Sequence, residues 1–538
     1  MLENNKFESI AKILHNYDVK SNPEFKKCSK FYMDGLGLAS AKHEKTFIGV
    51  FDEVYDSISH NNTLRYSLHA LDQANTLLME YNETKNIALY CAARELVQEW
   101  IINNYEKESA DLKYAWYDHG VSERNFVFIK LLLMSIEIKV DKKFIAKLIF
   151  IIIEHTKLLS NEAFYAANQN TRYHNHALFQ DIGLLLSSQI LYFFDISEYW
   201  FNKSVERILE QFQKLVAIDD DFGVIVENSP GYHLGALKIL EFIVDILKIG
   251  EENNSIKEFQ RLLEQMNSFK KVIRLGDCTP SIGDTFRKSE QNTKRNITTK
   301  EQTKFAVMKN AGYIVLDKKY DSSLLKFIFI GSNLIKTHKH QDNLSFTLFF
   351  DGIEWLVDPS FYSHQYEDPI SKHLRSVYAH NNIAIKDMEY SIEPGTSSID
   401  ATEDDEQYII QGKHTCYKDT EIKREVKISK TNFAIQITDE IVSSKKNIEA
   451  YSLLQIGENI DVAKKDNKIF LTHPNSEYQL CINYFGLETD IIEGFEEGRT
   501  FQGIIGHGFM QMVDGKCLVT NVSDNLSYII RIIKLANS

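Results

Sequence analysis

The chain has 538 residues, a formal net charge of −14, 43% hydrophobic and 12% aromatic residues: a globular composition too long for one compact domain. The acidic balance offers no general attraction to polyanions, which argues against a nucleic-acid partner. Six scattered cysteines, at 28, 91, 278, 416, 481 and 517 with no CxxC pair, exclude a disulfide scaffold and a thiolate metal site.

Residues 1 to about 270 read as helix after helix. Segments 70–78 and 92–101 carry apolar residues at three- and four-residue spacing, and 126–138, 144–159, 178–194 and 205–216 behave likewise. Leu234, Leu237, Ile243 and Leu247 continue the pattern, which Gly250 stops. No fixed repeat length is present, so the helices predict a bundle or toroid and not a solenoid. The most apolar run, 148–153, lies between Lys147 and Glu154 and is far too short to cross a bilayer.

From about residue 305 the period changes to two. Segments 305–308, 313–316, 325–330, 425–429, 433–438, 477–482 and 526–533 alternate as strands do. Many short strands with few helices between them predict antiparallel sheets in a sandwich. The join is expected in the polar stretch 288–296, giving a helical domain over 1–290 and a β-sandwich domain over 305–538.

Early in the β half, His338-Lys339-His340-Gln341-Asp342-Asn343-Leu344-Ser345-Phe346 leads into two apolar runs joined at Asp351-Gly352 and ending at Asp358. Asp-Gly between apolar runs is a hairpin signal. An extended strand would place His338 and His340 on one face, and the hairpin could bring His340 beside Asp358. With His380, from Ala379-His380-Asn381-Asn382, a His/Asp/His set suited to zinc would be complete. The plain alternative is a surface strand with solvated histidines.

Two clusters in the helical half carry chemistry. Thr171-Arg172-Tyr173-His174-Asn175-His176 precedes an amphipathic run. Asn175 either caps that helix or, with His176, presents donors to a carboxylate at the positive end of the helix dipole. In Glu227-Asn228-Ser229-Pro230-Gly231-Tyr232-His233, Ser229 reads as an N-cap and Pro230 as the first helical residue. Tyr232 then falls in the first turn, where the dipole favours a phenolate; the alternative is a tyrosine that merely packs at a helix end.

Together with Pro280-Ser281-Ile282-Gly283-Asp284, Leu356-Val357-Asp358-Pro359 and Arg375-Ser376-Val377-Tyr378-Ala379-His380-Asn381, these stretches resemble the heparinase II/III-like polysaccharide lyases in order and approximate separation, from about residue 80 onward. The resemblance implies an α+β multidomain fold: an incomplete (α/α) toroid followed by an antiparallel β-sandwich. It implies β-elimination on a uronic-acid-containing acidic polysaccharide. Asn175 resembles the carboxylate neutraliser, with His176 assisting. Tyr232 resembles the tyrosine acid or base, and His338 the histidine that completes the catalytic set. His340, Asp358 and His380 match positions that hold a structural zinc. The lead into His380 departs from the family's pattern, and a further tyrosine of the family has no clear match, Tyr362 and Tyr366 both lying in the loop after Asp358.

The competing readings are a non-catalytic glycan-binding or exopolysaccharide-assembly protein on the same fold, and a zinc hydrolase, which lacks a glutamate at a spacing such as HExxH. A glycoside hydrolase needs two carboxylates across the scissile bond, which these clusters do not supply. The start, Met1-Leu2-Glu3-Asn4-Asn5-Lys6-Phe7, has no signal-peptide pattern. That predicts a cytoplasmic protein, or a periplasmic or secreted one if the chain is a processed form, with no membrane partner. Oligomeric state is left open.

Overall fold

The structure is a computed structural model that describes residues 4–21, 62–165, 173, 175–249, 254–287, 303–320, 323–446 and 448–535. The chain forms two compact units. The first comprises residues 1–215 and 238–261, and the second residues 216–237 and 262–538. The join expected at 288–296 lies outside the described residues.

The first unit is helical. Asp118–Glu137 is its central helix, buried on nearly every side from Gly120 to Ser135, so it lacks the single apolar stripe of a surface helix. It packs against Lys142–Ser160 and Asn175–Ile190. Gly183 permits that second approach: a Cβ there would lie 2.4 Å from Ser122 Oγ. Each predicted helical segment falls on observed helix, but 126–138 and 205–216 belong to longer helices, Asp118–Glu137 and Ser197–Leu215, and 70–78 straddles the break at Leu71 before Asp72–Thr84. Among the described residues no helix is long and apolar enough to cross a membrane.

The second unit is built on two antiparallel sheets. One runs in the order Thr489–Glu493, Lys516–Val522, Ala450–Ile456, Ile353–Leu356, Ser345–Phe350, Ser323–Ile330, Tyr313–Tyr320, Lys304–Met308, with Ile383–Ile385 also pairing to Ala450–Ile456. The other runs Asp461–Lys465, Lys468–Thr472, Tyr478–Asn483, Asn525–Lys534, Ala434–Ser443, Thr420–Ser429, Gln407–Tyr417, Ser397–Glu403. Period-two alternation decides what each face meets. Ile314 and Leu316 join Val426, Ile437 and Ile530 in the core between the sheets. Tyr313 and Val315 point the other way, onto Phe269, Val272 and Ile282.

A two-stranded hairpin, Val216–Asp219 with Phe222–Ile225, was not anticipated inside the helical half. Its strands are only four residues each, too short for alternation to register, and Val224 belongs to the outer core of the sheet unit. This hairpin feeds straight into the Glu227–His233 run, and so places Tyr232 in the sheet unit.

A buried arginine fixes the loops around the site. Arg424 grips Asp439 through two hydrogen bonds of 2.6 and 2.9 Å, and its Nη1 donates to the carbonyls of Leu344 and Asn381. One strand of one sheet thereby holds two loops of the other. The bidentate geometry satisfies a charge that would be costly to bury alone.

Candidate functional site

The site begins at the helix Pro230–Leu247. Ser229 caps it as predicted, its Oγ accepting from the Tyr232 amide at 3.4 Å. Thr285 braces the same turn, its hydroxyl 2.8 Å from Ser229 Oγ and accepting from the Gly231 amide. Asn228, in the left-handed region at φ 56°, donates to the carbonyls of Ile335 and Thr337, each at 2.9 Å, and accepts from Ser332 Oγ. His233 accepts from the Ile225 amide on Nδ1, so Nε2 carries the proton donated to Met266 O at 3.0 Å. Burial pulls its pKa down to about 4.

The segment 331–344 forms no strand, contrary to the extended conformation expected for His338 and His340. His338 and Leu344 have positive φ, 56° and 66°. The two histidines are brought together by a shared acceptor, not by a strand face. His338 Nδ1 lies 2.7 Å from Asp284 Oδ2, and His340 Nε2 lies 2.7 Å from Oδ1. Arg375 Nη1 donates to both oxygens, at 2.9 and 3.0 Å. Burial alone would raise the Asp284 pKa; the histidine hydrogen bonds and Arg375 overcome it and hold the carboxyl far below the usual range. An ionised Asp284 only accepts, so each histidine donates to it from the nitrogen that faces it.

Tyr232 stacks on His338, with centroids 3.8 Å apart and planes at 24°. Its hydroxyl is 3.5 Å from His364 Nε2. Here the surroundings oppose a phenolate. Burial, then Asp284, Glu227 and Tyr366, push the phenol well above its ordinary value, and Arg375 offsets only part of this. The dipole at the start of the helix is outweighed by desolvation.

His340, Asp358 and His380 are all buried, and each offers a ligand atom within 4.8 Å of the others. His380 Nδ1 is 2.8 Å from Asp358 Oδ2, while Oδ1 accepts from the amides of Gly283 and Ser360. His340 Nδ1 and His380 Nε2 have no hydrogen-bond partner among the described residues. Orphaned buried nitrogens cost about 1–3 kcal/mol each, and two imidazoles with a carboxylate match zinc's donor preference. The residues present fit the metal. Asp284, hydrogen-bonded to His340, stands where an orienting outer partner would. A second trio, Asp284, His338 and His364, also has ligand atoms within 4.8 Å, but both Asp284 oxygens are engaged by Arg375.

Asn175 and His176 belong to the helical unit. Asn175 is the first residue of its helix, and its side chain lies outside the described residues. His176 Nδ1 is 3.5 Å from Asp118 Oδ1, and its ring lies 4.9 Å from that of His119. Burial would raise the Asp118 pKa, but hydrogen bonds from His176 and the His119 amide bring it below the usual value.

Sequence reasoning gave no role to Asp284, Arg375, His364 or Glu227. Asp284, Arg375 and Glu227 stood inside matched stretches, a signal that could have been followed. His364 is an exposed histidine in a loop, with nothing in its spacing to mark it. Of the two tyrosines after Asp358, Tyr366 holds the Arg375 guanidinium over its ring at 4.2 Å, whereas Tyr362 offers a carbonyl to the Met510 amide.

The model of the Heparinase II/III N-terminus matches residues 23–313, and that described as Heparinase II/III-like, C-terminal, matches residues 300–503. No curated protein matches the chain. Among solved structures, a mutant heparan sulfate lyase from Pedobacter heparinus superposes with a TM-score of 0.69 at 16% identity, over 89% of this chain and 78% of that one. A heparinase III gene product gives 0.69 at 16% identity, over 99% and 94%. A further heparinase III gives 0.68 at 14% identity, over 88% and 77%. At such identities the structures speak for the fold, while the family models account for most of the sequence. The chain belongs to the heparinase II/III family of polysaccharide lyases.

Proposed function

We propose that the protein cleaves a uronic-acid-containing acidic polysaccharide by β-elimination, with Tyr232 as acid and His338 as base. The observation that carries this is the Tyr232–His338 stack with His338 Nδ1 anchored on Asp284. An anchored Nδ1–H leaves Nε2 as an acceptor, the state a general base needs. The phenol, held above its ordinary pKa, keeps its proton at neutral pH and can give it up. In this reading His338 Nε2 takes the C5 proton and the C4–O bond breaks. Tyr232 protonates the departing oxygen, and a C4=C5 double bond remains. Proton exchange with solvent returns both residues to their starting states.

The uronate carboxylate must be neutralised for its neighbouring C–H to become acidic. Arg375 is paired with Asp284 and so is poorly suited to that task. The role is assigned to Asn175, with His176 assisting, on the family resemblance. Zinc on His340, Asp358 and His380 would cross-link three loops and fix His340 beside Asp284. No proton transfer here passes through it.

The test is incubation with hyaluronan, chondroitin, heparan sulfate and alginate while following the ultraviolet absorbance of the unsaturated uronate. Rising absorbance with at least one polymer is expected. A polymer that binds but never yields an absorbing product would instead establish the glycan-binding alternative.

A further inference from the structure

Beside the Tyr232–His338 stack runs a line of aromatic rings that the elimination chemistry does not use. His364 lies 5.8 Å from His338, Phe361 lies 4.7 Å from His364, and Phe286 lies 4.8 Å from Phe361. Phe361 is buried, at 2% exposure, yet Phe286 is 43% exposed. On the other side of His364, at 6.2 Å, stands Tyr366, 44% exposed with Arg375 over its ring.

The backbone holds this line in place. Ser360, at φ 72°, donates its hydroxyl to Thr285 O and accepts from the Arg287 amide. That clamp binds 285–287 alongside 358–361, so the Phe286 ring is set against Phe361 at 62°. Desolvating a phenylalanine is favourable. A braced phenyl left in water next to a reactive cluster is therefore a binding surface in waiting. The apolar C–H face of a pyranose ring is the complementary surface, because its polarised hydrogens meet the negative face of an aromatic ring.

We propose that Phe286 is a stacking subsite for a sugar ring of the polysaccharide remote from the bond being cleaved, with Tyr366 flanking the reacting residue. The proposal rests on the β-elimination reading for the location of the scissile bond. It adds that the substrate is recognised partly through uncharged sugar faces several residues long. Binding at Phe286 steadies the chain equally before and during reaction, so it acts on KM and not on kcat.

The experiment compares wild type, Phe286→Ala, Phe286→Leu and Phe286→Trp on long and on shortest-cleavable oligosaccharides of whichever polymer is active. Ala and Leu, which lack a flat face, should raise KM for the long substrate about three- to tenfold. Their kcat should stay within about twofold, KM for the shortest substrate should not change, and Trp should restore the long-substrate KM. Equal KM in all four proteins, with unchanged melting temperatures, would overturn the subsite while leaving the elimination reading intact. If wild type makes no unsaturated product, it is the elimination reading that fails. The subsite is then judged by affinity electrophoresis in gels holding each of the four polymers. Retardation weakened in Phe286→Ala and Phe286→Leu supports it; equal retardation, or none in any gel, rejects it.

Discussion

Tyr232 keeps its proton first because burial disfavours a phenolate, and then because its nearest charges are of the wrong sign. Asp284 and Glu227 repel an anion there, and only Arg375 favours one. The same Asp284 orients His338, so one buried carboxylate acts on both partners. Tyr232→Phe retains the ring that stacks on His338 but deletes the transferable proton. Turnover should fall by roughly two to four orders of magnitude, with the melting temperature unchanged; rates and thermal unfolding on one preparation check both. Asn175→Ala should also slow turnover, by roughly 100- to 1,000-fold, as when one oxyanion donor is lost. A residue serving only as a cap would instead lose about 1 kcal/mol of stability and leave the rate unaltered. At this scale the sequence disclosed residue types but not their partners. His338 and His340 were visible, whereas their shared pairing with Asp284, across more than fifty positions, emerged only once the loops were placed.

The elements that carry these residues are a capped helix start and an irregular loop. Ser229, Pro230 and the Asp351-Gly352 turn acted locally and were legible. Phe350 pairs with Ile353, and Asp351 and Gly352 both take positive φ, 51° and 80°, as a tight hairpin requires. The 331–344 loop was misjudged because its shape comes from long-range hydrogen bonds to Asn228, Asp284 and Arg424, which no local period encodes. His233 ties the helix start to Met266 and Ile225 in its neutral form. Its pKa, near 4 when folded against 6.5 otherwise, means the unfolded chain binds the proton first as pH falls. Its contribution is complete above about pH 6.5 and is lost as pH drops towards 4. In His233→Gln the decline of melting temperature across that interval should be shallower than in wild type. An identical slope would show that other groups govern acid unfolding.

At the scale of the whole molecule, the change of period from 3.6 to two separated helical from sheet-rich sequence, because each half buries its core by one rule. The assignment of 216–237 and 262–287 to the sheet unit was hidden. Helical residues such as Phe269 and Val272 pack on the outer face of a sheet, yet their spacing is that of any amphipathic helix. The proposed zinc binds loops of the sheet unit alone, so its removal should act on stability first. Protein prepared without chelator should contain stoichiometric zinc. Stripping it should lower the melting temperature, and substituting Ala for His380 should prevent its recovery. Metal-free protein with an unchanged melting temperature would rule the site out.

Elimination and hydrolysis differ in the fate of water, and that difference tests the central claim most directly. The active polymer is digested in water enriched in heavy oxygen, and the first products are weighed by mass spectrometry. Elimination takes no oxygen from solvent, so the account predicts unlabelled fragments whose new non-reducing ends are lighter by one water than hydrolysis would leave. Heavy oxygen built into one new end of each cleaved bond at the moment of cleavage, with no unsaturated sugar, would contradict it.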